Sequence, residues 1–138
     1  MKEGAIHEAV CACGGLQIRV KGPPDYVSSC ACQACQRRTG APFGVTAIYL
    51  NEQIVGRSGE SRAWRRIAAS GNWVDYHFCP TCGSTVWWEA EARPTSVAIA
   101  GGAFADKDFP PPQRMLWTEH RAPWVRPPEG VPEYPQAP

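Results

Sequence analysis

Long apolar runs are missing from this sequence of 138 residues. Nowhere do enough uninterrupted apolar residues occur to cross a bilayer as a helix. The opening stretch MKEGAIHEAVCACGG also lacks an apolar segment long enough for the core of a signal peptide. We therefore expect a cytoplasmic protein that has no membrane partner.

An excess of charge of either sign is missing as well. Fourteen Lys and Arg stand against thirteen Asp and Glu, which gives a formal net charge of +1. Any cysteine that binds a metal as a thiolate would make this balance more negative. Because a polyanion partner needs a clear positive excess, we expect no binding to nucleic acid.

A convincing amphipathic helical period is the third absence. Several segments instead alternate apolar and polar residues and end at Gly or Pro, as half-buried strands do, so the sequence predicts a mainly β fold. SRAWRRIAAS (61–70) fits either a short helix or a strand. The predicted strands are LQIRVKG (16–22), VTAIYL (45–50), NWVDYHF (72–78), STVWWEAEA (84–92) and TSVAIAGG (95–102).

The composition and length suit one globular domain. Hydrophobic residues make up 43% of the chain and charged residues 20%, which is ordinary for a folded domain of this size. We predict a domain over residues 1–126. Residues 127–138 are rich in Pro and poor in apolar side chains, and we expect this tail to lie loosely on the surface or to be mobile. The six tryptophans, Trp87, Trp88 and Trp124 among them, are expected in the core.

Cysteine, by contrast, is abundant. Seven cysteines are many for so short a chain, and an odd number leaves one unpaired in any full set of disulfides. A reducing compartment argues against disulfides as well. Tight groups of cysteines are what metal ligation needs, because a short turn can then direct several sulfurs at one ion. The groups are Cys11 and Cys13, then Cys30, Cys32 and Cys35, and finally Cys79 and Cys82.

The first and last groups are each a cysteine pair followed by glycine, in CACGG and CPTCG. Glycine tolerates a positive φ and lets backbone amides approach the sulfurs. Two such zinc knuckles would make a closed, tetrahedral structural zinc site that joins the first strands to the hairpin formed by the strands at 72–78 and 84–92. The alternative is a set of buried thiols without a metal.

The middle group, in SCACQACQRRTG (29–40), presents only three sulfurs. Three protein ligands with one open position are typical of a catalytic zinc. One alternative is that a histidine closes the site, with His7, His77 and His120 as the candidates. A second alternative places Cys11, Cys13, Cys30 and Cys32 in the closed site. Spacing alone leaves these alternatives open.

The whole pattern resembles the glutathione-dependent formaldehyde-activating enzyme family, to which the domain of centromere protein V is related. The resemblance rests on CxCG, then CxCxxC followed by QRRTGAPFG, then HFCPxCG, and lastly MLWTEHRAPW, and it spans about Val10 to Val125. It implies a β-tent, the fold shared with the translationally controlled tumour protein. It also implies a structural zinc at Cys11, Cys13, Cys79 and Cys82, and a catalytic zinc at Cys30, Cys32 and Cys35.

The family's reference reaction, a carbon–sulfur lyase reaction, adds glutathione to formaldehyde and gives S-hydroxymethylglutathione. The resemblance therefore implies a small thiol and a small aldehyde as partners. Arg37 and Arg38 follow the triplet closely enough to contact a carboxylate of glutathione, with a solvated turn as the alternative. Thr39 and His77 are candidate donors to the alkoxide, although His77 also fits a packed strand position beside Cys79. A non-catalytic zinc module is the alternative function.

Overall fold

The computed structural model describes all residues, 1–138, and is built of ten strands and one short α-helix. No helix in it is long and apolar enough to traverse a bilayer. Three 3₁₀ turns lie at Asn51–Gln53, Gly101–Phe104 and Thr118–His120. In chain order the elements are β1 (Ile6–Val10), β2 (Gln17–Lys21), β3 (Tyr26–Cys30), α1 (Gln33–Thr39), β4 (Gly44–Leu50), β5 (Ile54–Ser58), β6 (Arg62–Ile67), β7 (Trp73–Phe78), β8 (Thr85–Ala90), β9 (Ser96–Ala100) and β10 (Met115–Leu116).

The strands form two open sheets. The small sheet has the order β1-β2-β5, and the large sheet has the order β10-β3-β4-β9-β8-β7-β6. All pairs are antiparallel except β10 with β3. The mainly β prediction is therefore confirmed, and the ambiguous segment at 61–70 contains a strand, β6, rather than a helix.

The main core lies between the two sheets. Leu16, just before β2, and Ile18 and Val20 of β2 are fully buried. They belong to one cluster with Tyr49 and Ile99 of the large sheet. Side chains alternate between the two faces of a strand, so the neighbours of Tyr49 and Ile99 in the chain point to the opposite face of the large sheet. That second face carries its own apolar cluster of Ile48, Tyr76, Trp88 and Ala98.

The tryptophans divide between core and surface. Trp87 and Trp88 are buried, as expected. Trp124 is 73% exposed and Trp64 is 57% exposed, so the expectation of a core position was wrong for these two. Trp64 stands on the edge strand β6, which has only one neighbouring strand to cover it.

The proline-rich tail is more closely held than expected. It lies on the surface, but the backbone N–H of Met115 donates to Pro132 O over 2.9 Å and that of Tyr134 donates to Met115 O over 2.8 Å. An ion pair between Arg121 and Glu133 adds a side-chain contact. These contacts place the tail along β10, at the edge of the large sheet.

Candidate active site

Four cysteines meet where the turn after β1 approaches the hairpin between β7 and β8. Their sulfur atoms, from Cys11, Cys13, Cys79 and Cys82, all lie within 4.8 Å of one another. Cys13 Sγ is 3.6 Å from both Cys11 Sγ and Cys79 Sγ. A tetrahedral zinc with bonds of about 2.3 Å needs sulfurs about 3.8 Å apart. This closed cluster therefore fits one zinc ion.

The two turns that carry the closed cluster have the geometry predicted for zinc knuckles. Gly14 and Gly83 adopt positive φ angles of 82° and 76°, which glycine tolerates without strain. Each N–H donates back to the cysteine that opens its turn, Gly14 to Cys11 O and Gly83 to Cys79 O. The Leu16 N–H donates to Cys11 Sγ over 3.1 Å, as expected for a sulfur that carries negative charge.

The other three cysteines form a second cluster, the triplet, around the start of α1. Cys30 is the last residue of β3, Cys32 caps α1, and Cys35 lies in its first turn. Their sulfurs lie within 4.8 Å of one another, and the Cys35 N–H donates to Cys32 Sγ over 3.4 Å. A strand end and a helix start thus bring all three sulfurs to one point.

The charges of the triplet also favour a bound cation. Hydrogen bonds from the thiols of Cys30 and Cys35 lower the pKa of Cys32 far below the usual thiol value. The same hydrogen bonding to Cys32 raises the pKa of Cys30. One thiolate therefore forms readily while its neighbours resist ionisation, and a metal ion would neutralise the three thiolates together.

The structure decides between the cysteine groupings that spacing left open. Cys11 and Cys13 join Cys79 and Cys82 rather than Cys30 and Cys32, so the alternative grouping is wrong. No histidine nitrogen joins either cluster. The triplet therefore offers three ligands and no fourth from the chain.

All three triplet cysteines line a cavity of about 220 Å³ on the second face of the large sheet. We call it the triplet cavity. Tyr76 and Trp88 contribute aromatic walls, with ring centroids 5.6 Å apart. A larger groove of about 740 Å³, the outer groove, runs between α1 and β6 and shares Tyr76 and Arg66 with the triplet cavity. The triplet therefore borders a space in which a small molecule can sit.

Comparison with known families agrees with this geometry. The family model of the glutathione-dependent formaldehyde-activating enzyme matches residues 6–120, a range that contains both cysteine clusters. The chain belongs to this family. The family's name is that of an enzyme that acts on formaldehyde with glutathione.

One solved structure similar to this family member is a crystal structure of a Rhodobacter sphaeroides protein. The two superpose with a TM-score of 0.54 and 16% sequence identity, over 92% of this chain and 98% of that one. At this identity the likeness shows the fold alone. No curated protein matches the sequence.

In this family member the side chains of Arg37, Arg38 and Thr39, which follow the triplet, point in different directions. Arg37 is exposed and borders the outer groove. Arg38 lies over the ring of Trp88, with its guanidinium carbon 4.3 Å from the ring centroid. The Thr39 hydroxyl donates to Cys35 O over 2.8 Å and so closes the end of α1. Thr39 borders neither the triplet cavity nor the outer groove.

His77 lies on the wrong face of the large sheet to serve the triplet. Its ring stacks on that of Trp87, with centroids 5.2 Å apart, and Trp87 belongs to the main core. Its neighbour Tyr76 points into the triplet cavity instead. The alternative interpretation of His77 as a packed strand residue therefore fits better than a role as donor.

Four residues at this site were missed in the sequence, namely Tyr76, Trp88, Arg66 and Arg93, which all line the triplet cavity. The alternation in NWVDYHF predicted that Tyr76 and His77 face opposite ways, but it could not tell which face meets the triplet. Arg66 lies in the segment whose structure was ambiguous. Arg93 lies in the turn after β8, and nothing in the sequence around it indicates that it lines the triplet cavity.

Proposed function

We propose that the chain is a zinc-dependent enzyme of the carbon–sulfur lyase class that adds a small thiol, glutathione or a similar molecule, to formaldehyde or another small aldehyde. The observation that carries this proposal is the triplet, whose three sulfurs line a cavity while the chain supplies no fourth ligand. Membership of the family supports the same choice of substrates.

The triplet is suited to a catalytic metal, and the closed cluster to a structural one. A zinc ion held by Cys30, Cys32 and Cys35 would supply an open position for one more sulfur and would favour the thiolate form of that sulfur. The closed cluster already offers four sulfurs, so it leaves no such position. Its cysteines come from turns on the two different sheets, which suits a structural role.

The reaction needs one proton transfer at the aldehyde oxygen. Attack of the thiol sulfur on the carbonyl carbon forms one C–S bond and moves the π electrons of the C=O bond onto oxygen. That oxygen then takes a proton, and the proton lost by the thiol balances it. The product is a hydroxymethyl thioether with no other leaving group.

We propose Tyr76 as the donor of this proton. Its ring lines the triplet cavity, and the pKa of its hydroxyl is raised, chiefly by burial. Arg66 and Arg38 oppose the shift without reversing it. The hydroxyl therefore keeps its proton at neutral pH and can donate it when negative charge develops on the aldehyde oxygen.

Tyr76→Phe is expected to lower the rate of adduct formation by about 10²-fold, the lower end of the range for loss of a general acid. Glutathione affinity should stay unchanged, because the ring and the triplet remain. Exchange spectroscopy with ¹³C-formaldehyde measures the rate above the uncatalysed background. Tyr134→Phe, in the tail and away from both cavities, is the matched control. An unchanged rate in Tyr76→Phe would remove Tyr76 from the mechanism.

Glutathione is expected to bind the zinc-loaded protein at least tenfold more tightly than S-methylglutathione. The two ligands share both carboxylates and the peptide, but only glutathione can present a thiolate to the triplet. Titration calorimetry gives both affinities. Equal affinities would show that the sulfur is not recognised and would favour the alternative function, a non-catalytic zinc module.

A further inference from the structure

Arginines without acidic partners collect on the second face of the large sheet. None of Arg38, Arg66, Arg93 and Arg114 forms an ion pair with a carboxylate. The Nε atoms of Arg38, Arg66 and Arg114 are buried and lack a hydrogen-bond partner. A buried donor without an acceptor is costly, so these nitrogens indicate a missing acceptor rather than a solvated surface.

The neighbouring Arg65, unlike these arginines, has a carboxylate partner within the chain. Arg65 points to the opposite face of β6 and forms two hydrogen bonds of 2.7 Å with Asp75. Arg66, the next residue, faces the triplet cavity and meets no carboxylate. The residues that line the triplet cavity include two arginines and no Asp or Glu.

Two of these arginines lie at the end of the cavity away from the triplet. The guanidinium of Arg93 is hydrogen-bonded to the Tyr26 hydroxyl and lies over the Tyr26 ring. Tyr26 begins β3 and Cys30 ends it, so the two are separated by about 13 Å along the strand. Arg66 pairs with Val74, which in turn pairs with Ala90 at that same end of the sheet.

Positive charge is concentrated there. The guanidinium carbon of Arg114 lies 4.7 Å from the centroid of the Tyr26 ring, the same ring that Arg93 covers. Burial, and then the charge of Arg114, lower the pKa of Arg93. Ser28 and Ser96 add neutral hydroxyl groups to the same cavity. An anion would relieve the repulsion between Arg93 and Arg114 and supply an acceptor for the buried Nε atoms of Arg66 and Arg114.

We propose that Arg66 and Arg93 form a carboxylate subsite that selects thiol substrates bearing an acidic group. The inference rests on the proposed function, because it assumes that the thiol sulfur lies at the triplet. Both ends line one cavity of about 220 Å³, so an extended thiol acid, whose carboxylate lies several bonds from its sulfur, contacts both. Planar guanidinium groups match a carboxylate, which can accept two parallel hydrogen bonds.

The test compares N-acetylcysteinylglycine with its C-terminal amide, which share size and thiol but differ in the carboxylate; the added glycine places that carboxylate six bonds from the sulfur, so it can reach toward Arg93. Titration calorimetry on the zinc-loaded full chain gives their affinities for wild type, Arg93→Gln and Arg66→Gln. Arg62→Gln is the matched control, because Arg62 lies on β6 but outside the cavity. Circular dichroism checks that each variant is folded. If loss of the contact with Tyr26 unfolds Arg93→Gln, Arg66→Gln alone still tests the subsite.

We expect wild type to prefer the acid over the amide by on the order of tenfold or more, the usual effect of charged hydrogen bonds. Arg93→Gln and Arg66→Gln should lower the affinity for the acid by a similar factor and leave the affinity for the amide unchanged. Arg62→Gln should keep the wild-type preference for the acid. Equal affinity of wild type for acid and amide, or equal weakening of both by the variants, overturns the subsite and leaves thiol binding intact. Failure of wild type to bind either thiol overturns the proposed function itself.

Discussion

Cys82→Ser is expected to unfold the protein or to lower its melting temperature drastically. The substitution removes one of four sulfurs from the closed cluster, whose members Cys13 and Cys79 are 66 residues apart in sequence. Structural zinc contributes a folding free energy on the order of 10 kcal/mol, which is comparable with the whole stability of a small domain. Melting curves by circular dichroism, with zinc present and after chelation, measure the loss.

Ser84→Ala is a suitable control for Cys82→Ser. The Ser84 hydroxyl contacts Cys82 Sγ over 3.3 Å and helps to lower the pKa of Cys82 to about 5, but Ser84 is not a ligand of the cluster. The Ser84 hydroxyl also accepts a hydrogen bond from the Ala12 N–H, so its loss removes two hydrogen bonds and should cost about 1–3 kcal/mol, far less than the loss of a zinc ligand. A Cys82→Ser protein that melts like wild type would mean that the closed cluster does not hold the two sheets together.

Cys35→Ser is expected to keep the fold and to lose both the second zinc and thiol binding. The triplet cysteines lie within six residues of one another in sequence, so a metal there constrains little distant structure. We expect a loss of stability of about 1–2 kcal/mol, as for an ordinary substitution at a half-buried position. Calorimetry with glutathione should show no binding above background.

The comparison of Cys35→Ser with Cys82→Ser separates the two roles. If Cys35→Ser unfolds as severely as Cys82→Ser, the triplet is also a structural site, and its assignment as catalytic loses its main support. If Cys35→Ser binds glutathione as wild type does, the thiol binds somewhere other than the triplet.

The sequence predicted those parts of the fold that depend on local patterns. Short apolar or alternating segments that end at a turn located β2, β4, β7, β8 and β9, although β4, β8 and β9 are buried on both faces. Cysteine spacing and glycine position predicted the three cysteine groups, since a knuckle is built from a few adjacent residues, whereas the joining of the first group to the last was implied by the resemblance to the family. Membership of the family, now shown, agrees with the resemblance read from the cysteine pattern.

The parts that depend on tertiary contacts could not be predicted. Helix α1 has only seven residues and no buried side chain, so it leaves no apolar period in the sequence. The tail is held by backbone hydrogen bonds to Met115 and Thr118, which side-chain composition does not reveal. Arg66 and Arg93 come from β6 and from the turn after β8, and they line one cavity only because of the order of the large sheet.

The central claim is that the chain holds two zinc ions of different character, one in the closed cluster and one in the open triplet. A metal count on freshly purified protein, repeated during mild chelation and on Cys35→Ser, tests this most directly. We predict between one and two zinc per chain at first, because the triplet has fewer protein ligands and is only partly filled. Chelation should then bring the count to one while the fold persists, and Cys35→Ser should start at one. Iron in place of zinc, no metal at all, or loss of all metal in a single step together with the fold would contradict the account.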